Sequence, residues 1–343
     1  MERPMITGED KVSKEWLSLL HEDALLQITG LRVEYRTERA KASAVNGLDL
    51  IIRKGESLGL VGETGAGKTT AALSVMNLLP RDIGFVTGGK IAFAGQNVQE
   101  MTQSQLRDLR GGKVSMIFQN PLTALNPVFT VGEHIEMALR VHQKLNRKQA
   151  LKRACQLLEM VGIESYRVRD YPHQFSGGMR QRVGIAAALA CNPMLLIADE
   201  PTTALDVTIQ AQILELMRNL QTQYDTSLLM ITHNLGIIAE LCQQVAVMYA
   251  GRIIEYGSVQ SVFSSPKHPY TSGLLCALPS LTGEKKRLTA IPGTIASAQK
   301  LPSGCAFHPR CTNCMEKCKT EQPLMRKTGD GHFVECFAYE PEN

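Results

Sequence analysis

The eight residues Gly62-Glu63-Thr64-Gly65-Ala66-Gly67-Lys68-Thr69 restrict what this chain can fold into more than any other stretch. They fit the spacing G-x-x-x-x-G-K-S/T. The apolar run Ser57-Leu58-Gly59-Leu60-Val61 before them predicts a short buried strand, and Thr69-Thr70-Ala71-Ala72-Leu73 after them predicts the first turns of a helix. Strand, glycine loop and helix in that order form a cradle for phosphate. Glycines let the backbone wrap closely, so that successive N–H groups from Gly62 to Thr70 and the positive end of the helix face one anion. Lys68 then reaches the outer phosphates of a nucleotide, and the Thr69 hydroxyl ligates Mg²⁺. A fold of this kind is α/β.

The remaining chain supplies strands and acids suited to that loop. Alternation at Leu26, Ile28, Leu31, Val33 and Tyr35 predicts a strand, and Ala44 to Ile52 predicts a second. Tyr35 has an aromatic face to offer a nucleotide base, although taken alone it is a strand tyrosine. Gly84 to Gly95 reads as turns around a short β segment at Ile91-Ala92-Phe93, and Val114 to Gln119 as another strand. Residues 122 to about 190 change to helical periodicity, with helices over Val131 to Val141 and Lys148 to Val161. Ser176-Gly177-Gly178 opens a further, Ala-rich helix and offers N–H groups and a hydroxyl to an anion.

Met194 to Ala198 is a continuous apolar strand that ends in Asp199 and Glu200, at the carboxyl end where open α/β sheets place ligands. Asp199 suits the Mg²⁺ side of a phosphate site. Glu200 suits the group that orients or deprotonates an attacking water. Leu228 to Thr232 is one more strand, with His233 at its end placed to hydrogen-bond a γ-phosphate or that water. Val245 to Tyr249 and Arg252 to Tyr256 predict a hairpin turning at Ala250-Gly251, followed by helices near Val259 to Phe263 and Tyr270 to Leu278. From Pro279 the chain is rich in turns and loses periodicity.

At 343 residues the length allows two domains and a small appendage. A net charge of +4 over that length is too small to argue for nucleic acid or an anionic membrane surface. No apolar run approaches the roughly 20 residues that span a bilayer. Residues 1–24 carry only a short, interrupted apolar segment at Trp16 to Leu20, which predicts a frayed extension with one amphipathic turn and not a secretory signal. Cys155, Cys191, Cys242 and Cys276 stand singly in apolar surroundings and predict core filling. Cys305, Cys311, Cys314, Cys318 and Cys336 crowd the end of the chain, and without an export signal such a cluster points to metal before disulfides.

Together these residues resemble the ATP-binding subunits of ABC transporters over roughly residues 25 to 340. Gln119 matches the Q-loop, and Phe175-Ser176-Gly177-Gly178-Met179 matches the LSGGQ signature with Phe for Leu and Met for Gln. Asp199-Glu200 ends the Walker B strand, Ala204-Leu205-Asp206 matches the D-loop, and His233 the switch histidine. The resemblance implies a P-loop NTPase (RecA-like) core with an antiparallel β subdomain and a helical subdomain at about 122–190, all within 25–278. It also implies two such domains paired head to tail, each ATP lying between one Walker A loop and the other's signature. By that likeness Glu200 is the catalytic base, His233 positions the γ-phosphate, and Gln119 joins the Mg²⁺ and water site to the permease.

Phe118-Gln119-Asn120-Pro121-Leu122-Thr123-Ala124-Leu125-Asn126-Pro127 and Lys267-His268-Pro269-Tyr270-Thr271 are similar to the oligopeptide and dipeptide importer branch. The likeness implies a small Cys-rich extension over 279–343. Its partners are then a second, homologous and non-identical ATPase subunit, two transmembrane permease subunits and, indirectly, an extracytoplasmic peptide-binding protein, with no nucleic acid. The location it implies is peripheral, on the cytoplasmic face of the bacterial inner membrane. Relatives in this branch also take up nickel or glutathione. Cys305, Cys311, Cys318 and Cys336 match the branch's four tail cysteines, which in relatives hold a [4Fe-4S] cluster; four thiolates also suit Zn²⁺, and Cys314 and His308 are further possible ligands. A soluble ABC ATPase without a permease is the rival reading. Such proteins carry two cassettes or a long coiled-coil insertion, and this chain has one cassette and no sustained heptad run. A nucleotide-sensing regulator working through its tail is a third.

Overall fold

The computed structural model describes residues 16, 18, 24–38, 40–119, 125–202, 206–277 and 291–340. In chain order they form β1 (Leu26–Arg36), β2 (Lys41–Ile52), β3 (Ser57–Val61), α1 (Lys68–Val75), β4 (Gly84–Phe93), β5 (Gln96–Asn97), α2 (Gln103–Leu109) and β6 (Val114–Ile117). Then come α3 (Val131–His142), α4 (Arg147–Met160), α5 (Gly177–Leu189), β7 (Leu195–Asp199), α6 (Val207–Tyr224), β8 (Ser227–Ile231) and α7 (Leu235–Leu241). The chain continues through β9 (Gln244–Tyr249), β10 (Arg252–Ser258), α8 (Val259–Ser264), α9 (Pro269–Cys276), α10 (Lys317–Thr320), β11 (Met325–Gly329) and β12 (His332–Glu335). It divides into two compact units, Met1–Ile52, Leu60–Gln99 and Gln243–Asn343 in the first, Arg53–Gly59 and Glu100–Cys242 in the second.

The first unit contains an antiparallel sheet in the order β2-β1-β4-β5. Leu26, Ile28, Leu31 and Val33 of β1 are buried as the alternation predicts, with register shifts at Ile28/Leu31 that absorb the change of face. β4 is longer than the segment expected at 91–93, because the stretch from Gly84 to Gly88 pairs with β1 instead of turning. A Cβ at Gly89 would stand 2.4 Å from the Gly30 carbonyl carbon, so glycine there serves close backbone approach and not a turn. The second sheet region of this unit runs β11-β12-β10-β9, next to β3. The hairpin β9–β10 turns at Ala250-Gly251, both at positive φ, as a two-residue turn of this kind requires.

The tail was expected to lack regular structure, and instead it adds β11 and β12 to that sheet, with Tyr256 opposite Phe333 and Glu255 opposite Val334. Asp330-Gly331 between two short alternating runs was the available hairpin signal. Trp16 corrects the expectation of a frayed N-terminal extension at that position. It is fully buried and meets Tyr256 and Phe333 edge-on, with ring centroids 5.3 and 5.0 Å away. Aromatic area removed from water in this way stabilises the segment that carries it.

In the second unit β8, β7 and β6 are neighbours in that order, and all three are parallel. Leu195 lies opposite Val114 on one side and Ser227 on the other. Every residue of β6, β7 and β8 is buried, which explains why these strands read as unbroken apolar runs. Helices α3 and α4 match the periodicity, and their starts are set by reciprocal caps: Thr130 with Glu133, and Asn146 with Gln149. Helices α6 and α7 were not anticipated. Asp206 and Asn234 cap them, accepting from the N–H of Ile209 and Gly236, and were the signals for their starts. The expected segments at 120–124, 203–205 and 278–290 lie outside the described residues. Among the described residues no helix is long and apolar enough to cross a membrane.

Candidate active site

The glycine loop lies between β3 and α1, in the first unit. Gly67 is the N-terminal cap of α1 at φ +102°, and a Cβ there would stand 2.3 Å from the Ala44 carbonyl oxygen. Only glycine combines that conformation with that approach. The loop is pinned on two further sides, by the Gly251 N–H donating to the Ala66 carbonyl at 2.9 Å and the Ala66 N–H donating to the Glu63 carbonyl at 3.1 Å. Lys68 is buried, and its Nζ donates to the carbonyls of Gly62 and Glu63 at 2.7 and 3.0 Å, folding the ammonium back across the loop. Thr64, Gly65 and Thr69 are exposed. Tyr35 comes close, its hydroxyl 3.2 Å from Thr70 Oγ1. Lys68, Thr69, Thr70 and Tyr35 therefore gather about one loop, as the sequence suggests.

The acid-bearing strand end lies in the second unit. Asp199 is buried at the last position of β7. Glu200, one residue on, adopts φ +48°, a left-handed conformation that costs a non-glycine residue about 1 kcal/mol. Its N–H is held by the Ile231 carbonyl at 2.8 Å, so β8 fixes the turn. The carboxylate is gripped by two other candidate site residues: Gln119 Nε2 donates to Oε2 at 3.1 Å, and His233 Nδ1 lies 3.1 Å from Oε1. Gln119, Glu200 and His233, read separately at the ends of three strands, thus form one hydrogen-bonded set. A carboxylate so oriented, beside an exposed imidazole, can align and deprotonate a water.

Ser176, Gly177 and Gly178 occupy the tip of α5 in the same unit, with Ser176 Oγ accepting from the Met179 N–H at 3.3 Å. Ser176 and Gly177 are exposed, whereas Phe175 is buried under the Arg167 guanidinium at 4.1 Å. Apolar Phe175 therefore anchors the tip while its polar part faces outward. Asp206 is the cap of α6; Ala204 and Leu205 lie outside the described residues.

The tail thiols share the first unit. The Cys305 N–H donates to the Cys318 carbonyl at 2.9 Å. The sulfurs of Cys305, Cys311 and Cys336 each accept a backbone N–H, from Phe307, Asn313 and Ala338 respectively. Burial pushes the Cys305 thiol up to about 12 and raises Cys311 and Cys336 as well, so these sulfurs keep their protons unless a cation is beside them. Among the described residues no three of His, Cys, Asp or Glu stand in an arrangement that holds a metal ion. Cys155, Cys191 and Cys276 are not fully buried, in contrast to the core-filling role expected of them, while Cys242 is. His308 turns its Nδ1 to the Cys305 carbonyl at 3.0 Å.

Two residues that touch the phosphate loop were given no site role in the sequence. The Glu63 N–H donates to Tyr270 Oη at 2.8 Å, and the Glu63 carboxylate receives both Nη atoms of Arg310 at 2.6 and 3.0 Å. Arg310 and Glu63 are 247 positions apart, and no spacing rule connects them.

The family description "ABC transporter" matches residues 45–203, and "Oligopeptide/dipeptide transporter, C-terminal region" matches residues 254–318. The chain is 47% identical over 320 residues to the oligopeptide transport ATP-binding protein AppD of Bacillus subtilis, covering 93% of this chain and 98% of that one. It is 44% identical over 315 residues to the dipeptide transport ATP-binding protein DppD of Escherichia coli, covering 91% and 96%. Among solved structures it is similar to the dimeric ATP-binding cassette MJ0796 in a post-hydrolysis state bound to ADP and Pi, with a TM-score of 0.63, 25% identity, and coverage of 68% of this chain and 98% of that one. With near-full-length relatives at this identity and a P-loop NTPase fold, the chain belongs to the ABC transporter family, in the branch marked by the oligopeptide/dipeptide transporter C-terminal region.

Proposed function

We propose that this chain hydrolyses ATP and that hydrolysis powers the import of di- and oligopeptides through a membrane permease. The observation that carries the ATPase reading is the grip of Gln119 and His233 on Glu200 at the carboxyl end of a buried parallel strand. Peptides follow from similarity to proteins named for oligopeptide and dipeptide transport. In this reading the amides from Gly62 through Glu63, Thr64, Gly65, Ala66 and Gly67 to Thr70 cradle the phosphates, Lys68 exchanges its loop carbonyls for phosphate oxygens, and Tyr35 stacks on the base. Thr69, Asp199 and Gln119 are the groups that would hold Mg²⁺, the hard oxygen donors that ion prefers. Glu200 takes the proton of the attacking water, and His233 orients the γ-phosphate or that water.

Ser176, Gly177 and Gly178 present the amides at the tip of α5 to the nucleotide of a second cassette. A γ-phosphate that contacts both cassettes favours the closed pair, and its loss on hydrolysis releases them. The second cassette is a homologous, non-identical chain, and the pair works beneath two permease subunits supplied by an extracytoplasmic peptide-binding protein. The chain then sits peripherally on the cytoplasmic face of the inner membrane, with 25–278 as the nucleotide-binding domain, 279–343 as the extension and 1–24 preceding them. Affinity isolation of the tagged chain from native membranes in mild detergent is expected to bring down a polytopic membrane protein and a second cassette. Isolation with ribosomes, or of the chain alone, would remove the transport part of the reading.

The tail belongs to the same proposal. Cys305, Cys311, Cys318 and Cys336 supply four thiols, the donor type of a [4Fe-4S] cluster and also of a four-thiolate Zn²⁺ site, and would have to draw together to hold either. Such a centre would supply structural cross-linking of the tail. Protein purified anaerobically is expected to be brown with broad visible absorbance, and Cys311→Ser to lose that colour. Colourless protein with one equivalent of zinc replaces iron by zinc, and protein with neither metal leaves the cysteines as thiols.

A further inference from the structure

Glu63 is an acid inside a loop that has to hold an anion, where its carboxylate opposes the field of the amides and of Lys68. The fold answers that charge from the other end of the chain. Arg310, in the turn His308–Arg310, meets the Glu63 carboxylate with both terminal nitrogens, the fork geometry that makes Arg–carboxylate pairs strong. Its side chain is only 3% exposed. Nε donates to the Pro292 carbonyl at 3.0 Å, and the guanidinium lies 5.9 Å from the ring centres of both Tyr249 and Phe307. The Glu63 main chain is held independently, its N–H by Tyr270 and its carbonyl by Lys68 Nζ. Glu63 therefore joins the phosphate lysine to a braced arginine whose neighbour in sequence is Cys311.

We propose that Arg310 is a positioning residue for nucleotide binding: by pairing with Glu63 it cancels the loop's own negative charge and fixes the backbone that cradles the phosphates. The proposal rests on Gly62 to Thr69 being a phosphate site. Without Arg310, the Glu63 carboxylate is free to compete with phosphate for the Lys68 ammonium, whose Nζ already lies 3.0 Å from the Glu63 carbonyl.

The test is equilibrium binding of a fluorescent ATP analogue with Mg²⁺ to the full chain, with folding checked by circular dichroism. Arg310→Gln is expected to weaken binding about tenfold, and the double variant Arg310→Gln with Glu63→Gln to return to within about threefold of the parent, a coupling expected for groups in direct contact, with Glu63→Gln alone closing the cycle. A purely structural role for Arg310 leaves the double variant as weak as Arg310→Gln, and that result overturns the proposal, as does parent-like binding by Arg310→Gln. If Arg310→Gln does not fold, Arg310→Lys takes its place: a loss of about threefold that Glu63→Gln relieves supports the pair, and parent-like affinity overturns it. Binding by the parent and its loss in Lys68→Ala report on the phosphate site itself, so failure there rejects the underlying reading and the proposal together.

Discussion

Glu200→Gln is expected to bind Mg-ATP within about twofold of the parent and to hydrolyse it at least about a hundredfold more slowly, the range set by loss of a positioned general base. The substitution keeps the size and planarity of the side chain and removes its capacity to accept a proton. Geometry makes it a clean experiment: the backbone turn at Glu200 is fixed by the Ile231 carbonyl, and the carboxylate is approached by Gln119 and His233 at 3.1 Å each, so an amide can occupy the same place. Nucleotide binding and phosphate release under single-turnover conditions separate the outcomes. Hydrolysis near the parent rate rejects Glu200 as the base. Weak binding with intact turnover at saturating ATP makes it a structural acid instead.

Lys68→Ala acts on the other half of the chemistry. Loss of one charge-assisted contact to phosphate, on the order of 1.5 to 3 kcal/mol, weakens ATP binding by roughly ten- to a hundredfold. In the structure Nζ satisfies the carbonyls of Gly62 and Glu63, so the substitution also leaves two loop acceptors to water. Thermal unfolding is therefore measured beside affinity. A parent-like melting temperature with lost binding locates the effect in the phosphate contact, and unchanged affinity removes Lys68 from the site. The two variants are complementary, since one separates binding from turnover and the other removes binding first.

Both predictions concern residues legible in the linear chain, and the reason is local. The loop between β3 and α1 announces itself because glycine, lysine and threonine must stand at fixed intervals to wrap an anion, and the flanking strand and helix have their own periodicities. The buried strands β7 and β8 were equally plain, since a strand covered on both faces is apolar throughout and its first polar residues mark its end. Where the periodic signal was weaker the helices went unread: α6 and α7, capped by Asp206 and Asn234, have modest apolar patterns. The tail hairpin was lost because β11 and β12 become strands by pairing onto β10, and their short runs carry little periodicity of their own.

From sequence alone came the identity of the phosphate loop, the strand-end acids, the glutamine, the histidine and the cysteine cluster, each defined by neighbours a few positions away. Only tertiary structure joined Gln119 and His233 to one carboxylate, buried Trp16 against the tail strand, and closed Arg310 on Glu63. Residues far apart in the chain meet through the pairing of strands and the burial of their faces, and a hydrogen bond made there leaves no trace in residue spacing.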